Sequence, residues 1–118
     1  MKFLENLCTA YLNRGNIWGY PASSLFNQYT LYVVPLANPD GVDLVVGNIK
    51  KYHPQSYNSA QKLSQNYLTI PFPNGWKANI EGIDLNLQFP AEWETARNNK
   101  FAQGYTKPGP RDYVGPSP

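Results

Sequence analysis

The chain is poor in the two residue types that most often bind metals and activate nucleophiles. It contains one histidine, His53, and one cysteine, Cys8, and a single cysteine excludes a disulfide within the chain. Catalytic zinc sites normally need three protein ligands, most often including two histidines, and a serine triad needs a histidine base. His53 lies in a polar stretch far from any glycine-flanked serine, and there is no HExxH motif, cysteine pair or glycine-rich phosphate loop. These absences predict no self-contained zinc site and no serine hydrolase.

Long apolar runs and strong charge are also missing. No run approaches the ~18 apolar residues of a transmembrane helix, so we expect no membrane span. The net charge is only +2, and Lys50-Lys51 is a small basic spot, so we expect no nucleic-acid partner. The first residues, MKFLENLCTAYLNR, place Glu5 inside their apolar stretch and show no small-residue cleavage site. They are therefore not expected to act as a secretory signal.

What remains is typical of one modest globular domain. The 118 residues are 42% apolar and 15% charged, which favours a folded chain over a disordered one. Gly and Pro together account for 20 residues, from 9 Gly and 11 Pro, so loops take a large share. Aromatic residues make up 14%, including nine tyrosines, which suits either a ligand cleft or an ordinary tyrosine-lined surface.

Two strands and a leading helix stand out in the pattern. Apolar residues between Phe3 and Leu12 recur at helical spacing, and Arg14-Gly15 closes that helix. YTLYVVPL, residues 29–36, is β-branched or aromatic almost throughout and predicts a strand buried on both faces, ended by the turn NPDG. A second strand is predicted over residues 83–89, although it carries Asp and Asn, which strands disfavour.

The other segments are less regular. We predict a short helical turn at residues 22–27, a helical turn or a strand at 42–46, a weak helix within 54–68, a Pro- and Gly-rich loop at 69–79, and a short helix at 91–97. Residues 98–118 have no periodicity and predict a loop or disordered tail.

Polar residues lie where these strands begin and end. Asn38 and Asp40 follow the first strand, and ligand clefts in α/β sheets open at the carboxyl ends of strands. Lys77 precedes the second strand and is able to bind an anion or polarise a carbonyl group, while Asp84 and Asn86 lie within that strand. The alternatives are a plain tight turn at NPDG, a solvated Lys77, and an Asn86 amide that satisfies neighbouring backbone.

Read together, YVVPLANPDGVDLV, GWKANIEGIDLNLQFP and the Pro-rich GPSP end resemble the zinc carboxypeptidase family. The resemblance is strongest to its bacterial branch of gamma-D-glutamyl-L-diamino acid peptidases, which cut cell-wall peptides. It is firm over residues 29–94 and looser in the flanks. NPDG alone is weak evidence, whereas NPDG followed by W-K-A-N-x-x-G-I-D-L-N is strong.

The resemblance implies roles for individual residues. Asn86 matches the asparagine that holds the terminal carboxylate of the substrate. Lys77 falls in the basic segment that supplies the carbonyl-polarising Arg in many members, so it is assigned to catalysis and substrate binding, although Glu81 is an alternative match to that Arg. Asp84 matches a structural residue. With Asp84 and Asn86 alternating along a strand, both are expected on one face near the cleft.

Asn38 and Asp40 are likewise implied as structural residues near the cleft. One departure is Leu87, which stands where the common form of the family has Arg directly after the asparagine. Since Arg is the bidentate carboxylate clamp, its absence argues against simple trimming of C-terminal residues and suits the cell-wall branch.

The zinc ligands of the family are also missing from the sequence. Members carry a His-x-x-Glu pair before a helix like residues 1–14, and a third ligand and a general-base Glu beyond GPSP. The chain is therefore interpreted as an internal piece of a longer peptidase that requires zinc when complete, with no metal ligands of its own. We expect this piece to bind no catalytic zinc and to hydrolyse no peptide by itself.

The fold implied is α/β, a partial three-layer carboxypeptidase-like fold whose mixed central sheet has about three or four strands with flanking helices. Residues 1–97 are assigned to the partial domain, and 98–118 to an extended tail of the same domain. The expected partner is a peptide with a free carboxylate, and an exposed sheet edge suggests a homodimer. Alternative functions are a non-catalytic carboxylate-binding or decayed relative and a purely structural interaction domain. A bacterial location is implied, at the wall or in the cytoplasm.

Overall fold

A computed structural model of the chain describes residues 2–118. The chain divides into two compact units, the first ending at Ala37 and the second running from Asn38 to Pro118.

The first unit is built from two helices and a small hairpin. Helix α1 spans Lys2–Leu12 and helix α2 spans Ala22–Gln28, which confirms both helical predictions in this region. Strands β1, Asn16–Ile17, and β2, Tyr20–Pro21, form an antiparallel pair between them. This pair is the only sheet within residues 2–118.

The apolar segment 29–36 is not a strand, and the prediction that it is buried on both faces is wrong. Its residues are exposed, from 44% at Val33 to 90% at Tyr32. Residues 30–37 make no backbone hydrogen bond to any residue from 2 to 118. A strand needs a neighbouring strand to pair with, and the described residues provide none, so the segment stays unpaired.

Three consecutive helices open the second unit. Helix α3 spans Pro39–Val46, α4 spans Asn48–Tyr52 and α5 spans Pro54–Ser64. Proline at the first position of α3 and α5 suits a helix start, because its fixed φ and missing N–H cost nothing there. These helices settle residues 42–46 as helical and confirm the weak helix predicted within 54–68. Gly47, with φ of 94°, separates α3 from α4, since glycine adopts this left-handed conformation without strain.

The core of the second unit lies under these helices. Apolar side chains from α3, α4 and α5 pack with two residues of the following loop, and the buried members are Leu44, Ile49, Ala60, Trp76 and Ala78. Burying a side chain the size of Leu44 stabilises a fold by about 1.5–3 kcal/mol. The core therefore fixes the loop segment 76–78 directly against the helices.

The predicted second strand is a turn of 3-10 helix, Leu85–Leu87. The Asp84 carboxylate accepts a hydrogen bond from the Asn86 N–H at 3.2 Å, which caps that turn. Side-chain bonds of this kind compete with strand pairing, and they explain why Asp and Asn interrupt the apolar pattern. The expectation that Asp84 and Asn86 share one face is also wrong, because Asp84 is 1% exposed and Asn86 is exposed.

The C-terminal part is ordered rather than a disordered tail. Helix α6 spans Trp93–Ala102, so the predicted short helix begins later and ends later than 91–97, and the proposed boundary at residue 98 falls inside it. Residues 103–118 have no regular structure, yet Pro110 and Val114 are fully buried. Asp84 N–H donates to the Tyr113 carbonyl at 2.9 Å, so this segment packs as an integral layer of the second unit.

The architecture thus mixes helices with one small sheet, and a mixed sheet of three or four strands is not present in residues 2–118. Over the same residues no helix combines the length and apolar character that crossing a bilayer requires.

Candidate functional site

Asn38 connects the start of α3 to the loop that carries Lys77. Its side-chain oxygen accepts from Gly41 N–H at 3.1 Å, which caps the helix. Its side-chain nitrogen donates to the carbonyls of Lys77 at 3.2 Å and Ala78 at 2.9 Å. A Cβ atom at residue 41 would lie 2.6 Å from the Ala78 carbonyl oxygen, so the close approach of helix and loop requires glycine there.

Asp84 lies at the centre of the candidate site. Its Oδ2 accepts from Lys77 Nζ and from Asp112 N–H, each at 3.2 Å, and its Oδ1 accepts from Asn86 N–H at 3.2 Å. A carboxylate that is 1% exposed needs such donors, because an unpaired buried charge is strongly unfavourable. Asp84 therefore joins Lys77 and Asn86 through one carboxylate.

The C-terminal segment hydrogen-bonds to the loop that carries Lys77. The main-chain N–H groups of Lys77 and Ala78 both donate to the Pro110 carbonyl, at 2.8 Å and 2.9 Å. Asp112 has a φ of 67°, a left-handed conformation that is uncommon outside glycine, and it presents its N–H to Asp84. Sequence reasoning missed Pro110 and Asp112, since their contributions come from main-chain atoms that residue identity does not reveal.

The predicted site residues separate into two groups. Hydrogen bonds connect four of them, Asn38, Lys77, Asp84 and Asn86. Asp40 is exposed in the first turn of α3, where a negative charge suits the positive end of the helix dipole, and no hydrogen bond within residues 2–118 links its side chain to the others. The sequence therefore indicated four residues that the structure connects and one that it leaves apart.

A groove of about 330 Å³ opens beside Lys77. Its wall is formed by Val42, Val45 and Val46 of α3, and Trp76 and Lys77 also line it. The Lys77 side chain is 44% exposed, and its ammonium group donates to the buried Asp84. An anion arriving from solvent can therefore reach this lysine.

A second ion pair stabilises the supporting segment. Asp112 accepts from Lys100 Nζ at 2.7 Å and from Arg111 Nε at 3.0 Å, and its side chain is 15% exposed. Partial burial acts to raise the pKa of the Asp112 carboxyl, but the hydrogen bonds and charges of Lys100 and Arg111 outweigh it and leave that pKa lowered. Asp112 is therefore held as a carboxylate in the folded chain.

Zinc does not fit the side chains of the described chain. Among residues 2–118, no three His, Cys, Asp or Glu side chains come together as a potential metal site. His53 is exposed and lies at the junction of α4 and α5, and Cys8 is an exposed free cysteine.

Comparisons with known proteins agree with the motifs. Residues 1–117 match the family described as zinc carboxypeptidase. The chain is 43% identical over 123 residues to Gamma-D-glutamyl-L-diamino acid endopeptidase 1 of Lysinibacillus sphaericus, covering 100% of this chain and 28% of that protein. It is 37% identical over 118 residues to Uncharacterized protein YqgT of Bacillus subtilis, covering 100% and 29%.

A more distant relative is Carboxypeptidase E of Caenorhabditis elegans, 27% identical over 93 residues, which cover 76% of this chain and 14% of that protein. The chain thus spans less than a third of the length of these relatives. No solved structure matches it.

Proposed function

Because this chain belongs to the zinc carboxypeptidase family, we propose that it forms one side of the substrate cleft of a zinc peptidase that acts on peptidoglycan-type peptides. The observation that carries the proposal is the Asp84 carboxylate, which contacts both Lys77 Nζ and Asn86 N–H. This contact supports a joint role for Lys77 and Asn86 in binding substrate. The substrate class proposed here is supported by the Lysinibacillus sphaericus relative, which is named a gamma-D-glutamyl-L-diamino acid endopeptidase.

The chemistry of the two residues suits a substrate carboxylate and a reacting carbonyl. Lys77 offers a compact positive charge with rotatable donors, and the Asn86 amide is able to donate a hydrogen bond. In the proposed complex Asn86 holds the terminal carboxylate, while Lys77 contributes to that binding and polarises the scissile carbonyl. Leu87 in place of an arginine removes a bidentate clamp, so Lys77 is the one charged donor that the proposed site offers to the carboxylate.

The segment 29–36 has a proposed place in the complete domain. Its apolar side chains and unpaired backbone suit an inner strand of a larger sheet. It leads directly into the start of α3, an order of strand and helix that parallel sheets favour. We therefore assign the predicted mixed sheet to the complete domain, in which neighbouring strands come from elsewhere in the polypeptide.

The chain by itself is proposed to be inactive. Incubation of the isolated chain with zinc and a γ-D-glutamyl-diamino acid peptide should give no hydrolysis, because residues 2–118 lack a three-ligand metal group. Turnover that a chelator abolishes would contradict this proposal.

A chimera tests the proposed role directly. The segment of the Lysinibacillus sphaericus enzyme that aligns with this chain is replaced by the chain, and zinc-dependent hydrolysis of the same peptide is measured. We expect an active chimera in which K77M lowers kcat/KM by about 100-fold, a typical loss for a group that stabilises developing charge. We expect N86A to lower it by about tenfold through weaker carboxylate binding.

The matched control is K62M, which removes an exposed lysine of α5. It should leave kcat/KM unchanged. A folded, zinc-loaded chimera in which K77M behaves like K62M would rule out the proposed role of Lys77.

A further inference from the structure

The candidate site contains a buried carboxylate with more contacts than a capping residue needs. Capping the 3-10 turn uses only the bond from Asn86 N–H to Asp84 Oδ1. The other oxygen, Oδ2, accepts from the ammonium of Lys77 and from the main chain of Asp112. Asp84 therefore bridges three separate parts of the chain, the loop before it, the turn after it and the C-terminal segment.

The lysine that Asp84 holds is fixed at both ends. Its main-chain N–H donates to Pro110 and its main-chain carbonyl accepts from Asn38. Its Nζ lies 3.2 Å from the buried Oδ2. A lysine side chain has four rotatable bonds and loses much conformational entropy when a ligand orders it. Because Asp84 orders Lys77 before any ligand arrives, less of that cost falls on binding.

From these contacts we propose that Asp84 is a positioning residue, which presents the Lys77 ammonium and the turn of Asn86 together to a substrate carboxylate. This inference rests on the proposed function of Lys77 and Asn86 as carboxylate-binding residues. Asp84 does not touch the substrate, because it is buried. It acts through the lysine, and Asp112 N–H in turn fixes the orientation of Asp84.

The sign of one mutational effect separates positioning from simple electrostatics. Asp84 carries a negative charge 3.2 Å from the Lys77 ammonium, so removing that charge would by itself strengthen the attraction between Lys77 and an anion. Loss of positioning has the opposite effect, because Lys77 then becomes mobile. The variant D84N keeps the shape of the side chain and an oxygen acceptor. It therefore distinguishes the loss of positioning from the loss of negative charge.

The experiment uses the whole 118-residue chain and two small probes. N-acetylglycine, which has a free carboxylate, and the neutral N-acetylglycinamide are titrated into the wild-type chain, D84N and D43N, and NMR shifts give the affinities. We expect the wild-type chain to prefer the acid, and D84N to bind the acid about tenfold more weakly. D43N should not change the affinity, since Asp43 is an α3 carboxylate bonded to Asn48. Equal or tighter binding of the acid by D84N would overturn the inference.

A second measurement does not depend on ligand binding. Carbon-13 relaxation of the lysine ε-methylene groups in the wild-type chain should show Lys77 more ordered than the exposed Lys62. In D84N the two lysines should become equally mobile. If Lys77 is already as mobile as Lys62 in the wild-type chain, the positioning role is refuted, and this result holds even if D84N does not fold.

The two proposals fail in different ways. A wild-type chain that binds the acid and the amide equally would refute the proposed carboxylate-binding function. The mobility of Lys77 would then still decide whether Asp84 positions it.

Discussion

At the scale of single residues, several hydrogen bonds meet at two carboxylates, the buried Asp84 and the partly buried Asp112. Each carboxylate accepts from two or more donors. The first joins the candidate substrate-binding residues, and the second holds the C-terminal segment to α6 through Lys100. Since Asp112 also donates its N–H to Asp84, the two carboxylates form one connected network.

The pKa of Asp112 is lowered in the folded chain, so this residue should make stability depend on pH. A group whose folded pKa lies below its unfolded value of 3.8 stabilises the fold above that value and loses the contribution as the pH falls through the folded pKa. We expect D112N to lower the free energy of unfolding at pH 7 by about 1 kcal/mol, and to lower it much less at acid pH.

Urea unfolding at pH 7 and at a pH below the folded pKa of Asp112 checks this expectation, with E81Q as the control for loss of an exposed carboxylate. A D112N chain whose destabilisation is the same at both pH values would contradict it.

At the scale of secondary structure, the start of α3 is a junction as well as a helix cap. Asn38 caps the helix with its oxygen and donates twice with its nitrogen to the loop at Lys77 and Ala78. We expect N38A to lower the free energy of unfolding by about 2–3 kcal/mol, because it removes the cap and leaves two carbonyls without their donor.

The variant N38S separates the two contributions, since serine keeps a capping oxygen but lacks the amide donor. It should cost about 1 kcal/mol less than N38A, by the usual value of a cap. Chemical denaturation of both variants measures the difference, and equal losses would mean that the cap contributes nothing.

The exposed apolar segment 29–36 affects how the isolated chain associates with other copies of itself. An exposed apolar segment with unpaired backbone groups can act as a template for pairing with another chain. We therefore propose that the isolated chain self-associates through this segment at high concentration. Sedimentation equilibrium should show dimers for the wild-type chain and monomers for the double variant L31K/V33K.

The matched control is L68K, which introduces a lysine at a leucine that is 80% exposed outside this segment. It should dimerise like the wild-type chain. A wild-type chain that stays monomeric at the highest concentrations reached would contradict the proposal.

At the scale of the whole molecule, burial is uneven between the two units. Within residues 2–37 the buried apolar residues are Leu7 and Ala22, whereas the second unit buries a cluster around Leu44 and Trp76 together with Val114. Regions with few buried apolar contacts open at lower free energy. We expect native-state hydrogen exchange to be faster in α1 and α2 than in α3 and α5. Equal protection in all four helices would show that the chain unfolds as one cooperative unit.

The sequence predicted local features better than long-range ones. The helices near residues 3–12 and within 54–68 follow from apolar spacing and from proline, which act within a few residues. The motifs also indicated the four candidate residues that hydrogen bonds connect in the structure. The strand at 83–89 was wrong because an Asx-type bond from Asp84 overrides the apolar alternation. The strand at 29–36 was wrong because pairing depends on neighbours that residues 2–118 do not supply.

The C-terminal contribution could not be predicted for a different reason. Its effect on the site comes from the Pro110 carbonyl and the Asp112 N–H. Any residue would offer the same carbonyl, and any residue except proline would offer the same N–H. The conformation of the segment decides the outcome, and a stretch rich in Pro and Gly without periodicity does not reveal that conformation.

The main-chain N–H groups of Lys77 and Ala78 share the carbonyl oxygen of Pro110. This arrangement also affects which sequence changes relatives of this chain can accept. Substitutions at position 110 preserve the acceptor whenever the backbone path is kept, so evolution is free to change the side chain while the support of Lys77 survives. Insertions or deletions between α6 and this position would shift the oxygen itself. Related proteins should therefore conserve the number of residues between α6 and position 110 more strictly than the residue types. Comparisons by residue identity alone would undervalue this conserved spacing.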